Sequence, residues 1–182
     1  MAMPLRVPTY TVDDLEAFPC DGNRYELLDG VLLVTPSASV AHQAVATRIR
    51  LALGGYLAPH GHATLLAPGA VEIRPKTHLE PDILVVPANF PLRAKWNDIR
   101  GWWLAVEVLS RSSRVYDRDF KRDAYLALGV GEVWLVDLDQ PAVFVSRPGG
   151  PIDEASTSKL KWAPPGMPIP FELDLSTIFK GL

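Results

Sequence analysis

The chain has 182 residues, 48% hydrophobic and 21% charged, which is enough for one sizeable core and too little for two independent ones. Its net charge of -3 and pI of about 5.8 exclude a uniformly basic nucleic-acid-binding body, so any such binding must rest on a local patch or a bound cation. The single cysteine, Cys20, excludes an intramolecular disulfide; there is no Cys/His spacing of a structural zinc site and no apolar run of the roughly 18 residues that suggest a membrane span. The expectation is a soluble cytoplasmic protein with no signal peptide and no membrane partner.

Thr11-Val12-Asp13-Asp14 has the form of a capping box with Asp in the Glu/Gln place, which predicts a short helix over residues 12–18 stopped by Pro19. Apolar-rich stretches at 25–28 and 31–35 flank Asp29-Gly30, a pair suited to the positive φ of a two-residue hairpin turn. Ser39 can cap a helix in which Val45, Ile49, Ala52, Leu53, Tyr56 and Leu57 recur at helical spacing before Gly61. Strands are predicted over 64–74, 82–86 and 103–109, the last two being nearly continuous apolar runs suited to central strands covered on both faces. A second helix is predicted over 114–128, with Tyr116, Phe120, Ala124 and Ala127 on its buried side and Gly129 closing it. Residues 132–137 and 142–146 read as strands, and 147–170, rich in Pro, Gly and Ser, as a long loop before 171–179 docks back. The predicted organisation is one domain over 1–182, with a core at about 22–146 and a C-terminal extension at 147–182.

Glu107 lies in the middle of the apolar run Trp-Leu-Ala-Val-Glu-Val-Leu, where a carboxylate is costly without a partner. Pro81-Asp82 opens another apolar strand. A cation shared by two carboxylates on neighbouring strands would supply that partner, because Mg²⁺ takes oxygen ligands and keeps waters and phosphate oxygens in its shell. On the second helix Asp117, Lys121 and Tyr125 are spaced i, i+4, i+8 and form a stripe rotated away from the apolar one, with Arg114, Arg118 and Arg122 on the next stripe around. At about 100° per residue, Lys121 sits at the boundary between buried and solvated faces.

Plainer readings stand beside these. Asp82 is also consistent with a strand-start residue satisfying loop amides, Glu107 with a buried structural ion pair, and Lys121 with an i, i+4 pair to Asp117 on a solvated face. His42 and Tyr125 suit packing roles, and Arg111, Arg114, Arg118 and Arg122 suit a solvated face as well as a phosphate track.

As a set, Tyr25-Glu26-Leu27-Leu28-Asp29-Gly30, His42, Pro81-Asp82, Glu107-Val108-Leu109-Ser110, Asp117 with Lys121 and Tyr125, and the run Gly-Val-Gly-Glu-Val-Trp-Leu-Val-Asp at 129–137 resemble the Uma family of "putative restriction endonucleases", within the wider PD-(D/E)XK nuclease class. The resemblance implies an α/β fold with a restriction-endonuclease-like core, a central mixed β-sheet flanked by helices, and an N-terminal β-hairpin. It implies a Mg²⁺- or Mn²⁺-dependent endonuclease acting on DNA, with Asp82, Glu107 and the backbone carbonyl of Val108 as metal ligands. The lysine that the wider class carries two residues after the glutamate is Leu109 here, and the resemblance assigns its place to Lys121, which would orient water or stabilise developing charge. Glu26 and His42 match family positions near the site, as outer metal or substrate contacts. The rival reading is a catalytically silent module of the same fold acting in binding or oligomerisation. A homodimer would suit cutting of both strands, with the segment around Trp96, Trp102 and Trp103 as its interface if those rings are exposed.

Overall fold

In the computed structural model, which describes residues 8–110 and 116–182, the leading turn and hairpin form as local chemistry requires. Thr11 donates its amide and its hydroxyl to Asp14 at 2.7 and 2.8 Å and starts a 3-10 turn over Val12–Ala17. Asp29 and Gly30 take φ values of 50° and 83°, the two positive values that a tight hairpin turn needs. They join β1 (Arg24–Leu28) to β2 (Val31–Thr35) in antiparallel register, Leu28 opposite Val31. Ser39 accepts from the His42 amide at 3.2 Å and caps α1 (Val40–Leu57), whose buried face is His42, Val45, Ile49, Leu53 and Leu57.

The strand predicted over 64–74 is in fact two, β3 (Ala63–Leu66) and β4 (Val71–Ile73), which belong to different sheets. Pro68, with no amide to give a ladder, and Gly69 separate them. Gly69 is held close to the sheet: a Cβ added there would collide with Cβ of Leu84, a buried residue that cannot swing aside. Gly69→Ala is therefore expected to cost about 1–3 kcal/mol of overpacking. A urea titration should show this as a lower midpoint at unchanged slope.

β4 pairs with β5 (Thr77–Leu79), and the small sheet runs β2-β1-β5-β4. The main sheet adds β6 (Ile83–Pro87), β7 (Leu104–Leu109), β8 (Val133–Asp137), β9 (Ala142–Ser146) and β10 (Glu154–Ser156), in the order β10-β9-β8-β7-β6-β3. It is mixed, because β7 and β8 are parallel while the other neighbours are antiparallel. A parallel pair needs a crossover, and the connection contains a π-helical turn, Asp117–Lys121, that runs into α2 (Arg122–Ala127).

Both faces of the main sheet are covered, which accounts for the continuous apolar runs of β6, β7 and β8. On one face Val45, Ile49 and Leu53 of α1 pack with Ile83, Val85, Val106 and Val136. On the other, Leu84, Val86, Ala105, Leu109 and Leu135 pack with Tyr125 and Val130.

The C-terminal extension is more ordered than its composition predicts. Besides β10 it holds a ribbon of β11 (Lys159–Trp162) and β12 (Phe171–Asp174), followed by α3 (Leu175–Ile178). Leu160 and Trp162 on one strand, and Phe171 and Leu173 on the other, alternate with exposed residues and join the α1 side of the core. In the tryptophan segment Trp102 is 3% exposed, while Trp96 and Trp103 are half-buried and pack against the two apolar clusters, so all three rings contribute to the core. Among the described residues, no helix is long and apolar enough to cross a membrane.

Candidate active site

The register of two strands brings the two key carboxylates together. β6 and β7 pair Ile83 with Val106 and Leu84 with Ala105, so one further step sets Asp82 opposite Glu107, on the face shared with Leu84 and Ala105. That face is the one covered by the helical segment after β7.

The helix turns inward the stripe next to the one its apolar residues predict, with Ala124 of the predicted stripe still packed against the core. Asp117, Lys121 and Tyr125 are the buried residues, at 4%, 1% and 0% exposure, whereas Phe120 is 53% exposed and Ala127 lies outside. Tyr116 and Phe120 stack on each other at 5.3 Å on the outer side. The physical reason is Glu107: the side of the helix facing it must supply a cation and a hydrogen-bond donor, and an apolar stripe there would leave a carboxylate unpaired. Lys121 is thus neither at the solvent boundary nor in a solvated i, i+4 pair.

The contacts form one connected cluster. Lys121 Nζ lies 2.6 Å from Glu107 Oε1, 2.9 Å from Glu26 Oε1 and 3.7 Å from Asp117 Oδ1. The Tyr125 hydroxyl donates to Glu107 Oε1 at 2.7 Å, so Tyr125 has a polar role that a packing residue would not need. Glu26 Oε1 also accepts the Glu80 amide at 2.6 Å. Asp82 Oδ2 accepts the Val108 amide at 2.8 Å and sits 3.1 Å from His42 Nε2. Arg24 Nη1 donates to Asp82 Oδ1 at 3.2 Å and to the Glu80 carbonyl at 2.9 Å, and Arg24 Nε is 3.6 Å from Glu26 Oε2.

Charge in the cluster is unbalanced. Among the described residues, Glu26, Asp82, Glu107 and Asp117 face two permanent cations, Lys121 and Arg24, with His42 beside Asp82. Burial pushes the Glu107 carboxyl up to about 8 despite the attraction of Lys121, and Asp117 and Asp82 push the same way. Burial also acts to raise Asp82, but the His42 hydrogen bond and charge, Arg24 and the Val108 amide outweigh it and hold Asp82 below its ordinary value. Burial alone would lower Lys121; Glu107, Glu26 and Asp117 outweigh it, so the ammonium is kept charged.

No group of three or more His, Cys, Asp or Glu side chains among the described residues forms a ready metal cage. The available donors are nevertheless hard oxygens: two opposed carboxylates, and the carbonyl of Val108, which a strand residue presents on the same edge as its amide and hence toward Asp82. Mg²⁺ and Mn²⁺ accept such a partial set and complete it with water and phosphate oxygens. A divalent cation would also answer the surplus of negative charge, so these residues fit one.

The arginine stripe is divided. Arg111 and Arg114 lie outside the described residues. Arg118 Nε donates to Asp153 Oδ2 at 3.1 Å with its guanidinium 4.6 Å over the Phe144 ring, and Arg122 donates to Asp153 at 2.7 Å and to Asp123 at 2.9 Å. These contacts tie both side chains to the protein's own carboxylates.

Sequence reasoning missed Arg24 and His78. Arg24 precedes the Tyr-Glu-Leu-Leu-Asp-Gly motif and alternates with Glu26, so the period of two places them on one strand face, and that was the available signal. His78 bridges Glu72 at 2.9 Å and Glu80 at 3.1 Å; burial alone would lower its pKa, but the two carboxylates outweigh it and raise it above 6.5. Arg24, His42, His78, Glu80 and Asp82 all line a cleft of about 650 Å³, whereas Glu107 and Lys121 are buried and do not line it.

A crystal structure from Anabaena variabilis ATCC 29413, described as a putative nuclease belonging to DUF820, superposes with a TM-score of 0.73 over 93% of this chain and 97% of that one. At 20% sequence identity this likeness shows the fold. No match is found among curated proteins. The Uma2 family, whose description is putative restriction endonuclease, matches residues 12–176, and the chain belongs to that family.

Proposed function

We propose that this protein is a Mg²⁺- or Mn²⁺-dependent endonuclease that hydrolyses phosphodiester bonds in DNA. The observation that carries the reading is Glu107: a carboxylate buried in mid-strand, opposite Asp82, with the Lys121 ammonium 2.6 Å away. Asp82, Glu107 and the Val108 carbonyl would hold the cation. When bound, it would polarise the phosphodiester and lower the pKa of an attacking water.

The chain's own groups prepare that chemistry. His42, Arg24 and the Val108 amide keep Asp82 ionised and oriented. Lys121, charged and fixed by Glu26, Glu107 and Asp117, supplies a positive end that needs no reorganisation as negative charge grows on the phosphoryl oxygens. Arg24, at the cleft wall, is placed to meet a phosphate beside Asp82.

The test is cleavage of supercoiled plasmid, single-stranded DNA and RNA by the purified protein with Mn²⁺, Mg²⁺ or EDTA. Cation-dependent cleavage of DNA is expected, with a loss of about 100-fold or more in Asp82→Asn and Glu107→Gln while circular dichroism shows both folded. Activity that persists in folded Glu107→Gln would mean that a contaminant or another site is responsible. The same variants should lose the Mn²⁺-induced rise in melting temperature of the parent protein.

A further inference from the structure

The cleft beside Asp82 has an aromatic wall. Phe18 and Tyr25 stack at 5.0 Å with their planes 24° apart, and Tyr10 meets Phe18 at 5.6 Å in an edge-on contact. Phe18 and Tyr25 are each half-buried and line the same cleft as Arg24, Arg50, His42 and Asp82. The Tyr25 hydroxyl donates to Asp21 at 2.8 Å, so what Tyr25 offers the cleft is ring surface. Rings beside cations, continuous with a catalytic carboxylate, form the combination that binds unpaired nucleic acid: bases stack on the rings while the cations meet phosphates.

Two further observations separate an unpaired strand from a duplex. Duplex recognition rests on many phosphate contacts over a wide surface, but the chain carries a net charge of -3. The cleft, at about 650 Å³, has the size of a small-ligand pocket, which suits a single base taken out of the helical stack.

We infer that the strand presented to Asp82 is unpaired nucleic acid, one base of which lies against the Phe18–Tyr25 rings while Arg24 and Arg50 face its phosphates. The inference rests on the nuclease reading above and names its substrate class.

The test is fluorescence anisotropy with the full chain and labelled oligonucleotides of about 12 residues, within the usual span of single-strand sites. The probes are single-stranded DNA, single-stranded RNA and a DNA duplex, with Ca²⁺ as an oxygen-coordinating ion. At least one single strand is expected to bind about tenfold or more tighter than the duplex. Phe18→Leu and Tyr25→Leu, which keep apolar bulk and remove the π-face, should each weaken that binding about tenfold, within the range of base–aromatic stacking, with little change in melting temperature. Facing about two phosphates, the site should show a slope of log K against log salt of about -1.4.

Equal or tighter duplex binding, or single-strand affinity unchanged in folded Phe18→Leu, would overturn the inference. Should Tyr25→Leu fail to fold, Phe18→Leu alone decides, since it lies just outside the first turn, away from the main sheet. The two readings fail separately. Ring-dependent single-strand binding without hydrolysis in Mn²⁺ would overturn only the nuclease reading, whereas plasmid cleavage with no dependence on either ring would overturn only this one.

Discussion

Lys121→Met is expected to abolish cleavage and to cost about 3–5 kcal/mol of stability at pH 8, the penalty for removing one partner of a buried ionic cluster. Methionine matches the aliphatic stem, so the packing of the helical segment is largely kept and the lost element is the charge. Without it, Glu26 and Glu107, each 1% exposed, and Asp117 beside them lose a shared cation. Orphaned carboxylates respond by holding protons, so the folded variant binds more protons than its unfolded chain above the ordinary carboxylate range. Its stability must then rise as pH falls, and the deficit at pH 5.5 should be smaller than at pH 8. Urea denaturation at the two pH values reads this directly. Adding Glu107→Gln to Lys121→Met should recover part of the stability and none of the activity, since it removes one unpaired charge and one proposed ligand together. A Lys121→Met protein that cleaves DNA, or that matches the parent in stability at pH 8, would show that the ammonium is dispensable.

The second large effect is the pH dependence of the cation-free protein. The Glu107 carboxyl, pushed up to about 8 by burial, keeps a proton between its ordinary value of 4.5 and 8 that the unfolded chain has already released. The folded state therefore binds more protons in that window, and stability falls as pH rises, by at most about 1.4 kcal/mol per pH unit for one proton. His78, raised above 6.5 by Glu80 and Glu72, acts in the same direction from 6.5 upward. Asp82, held below its ordinary 3.8, acts the other way but only under acid conditions, where its contribution is lost as pH falls. The expected result is a urea midpoint that declines from pH 5 to pH 8, with the portion below pH 6.5 flattened in Glu107→Gln. Added Mn²⁺ should stabilise most at the alkaline end, because a cation is held by ionised carboxylates and competes with the proton. A parent profile with the same slope as Glu107→Gln would rule out Glu107 as the titrating group.

Local sequence determined a good deal of this protein. The Asp29-Gly30 turn, the Ser39 cap and buried face of α1, and the apolar runs at β6, β7 and β8 are set by φ preferences, hydrogen-bond donors and hydrophobic period, all of which act over a few residues. Glu107 was legible as a candidate site residue for a similar reason: a carboxylate inside an apolar run carries its desolvation cost wherever the strand goes. Asp82, Lys121, Glu26 and His42 needed the family resemblance, since nothing local separates them from ordinary strand-end, helix-surface or core residues.

Tertiary structure decided the rest. The stripe of Asp117, Lys121 and Tyr125 turned inward because the sheet face beneath it already held a carboxylate, a fact that helical periodicity alone does not contain. Pro68 and Gly69 divided one predicted strand between two sheets, and Trp102 went to the core once a second apolar layer was available to receive it. The opening residues of the chain show the same division. The sequence made a capped turn and a hairpin; only the tertiary fold set Arg24 on Asp82 and two aromatic rings along the cleft that these residues share. The physical reason is range. Caps, turns and periodicity are settled between neighbours, whereas pairing a buried charge and shaping a cleft depend on which strands meet, and that is fixed only when both faces of the sheet are covered.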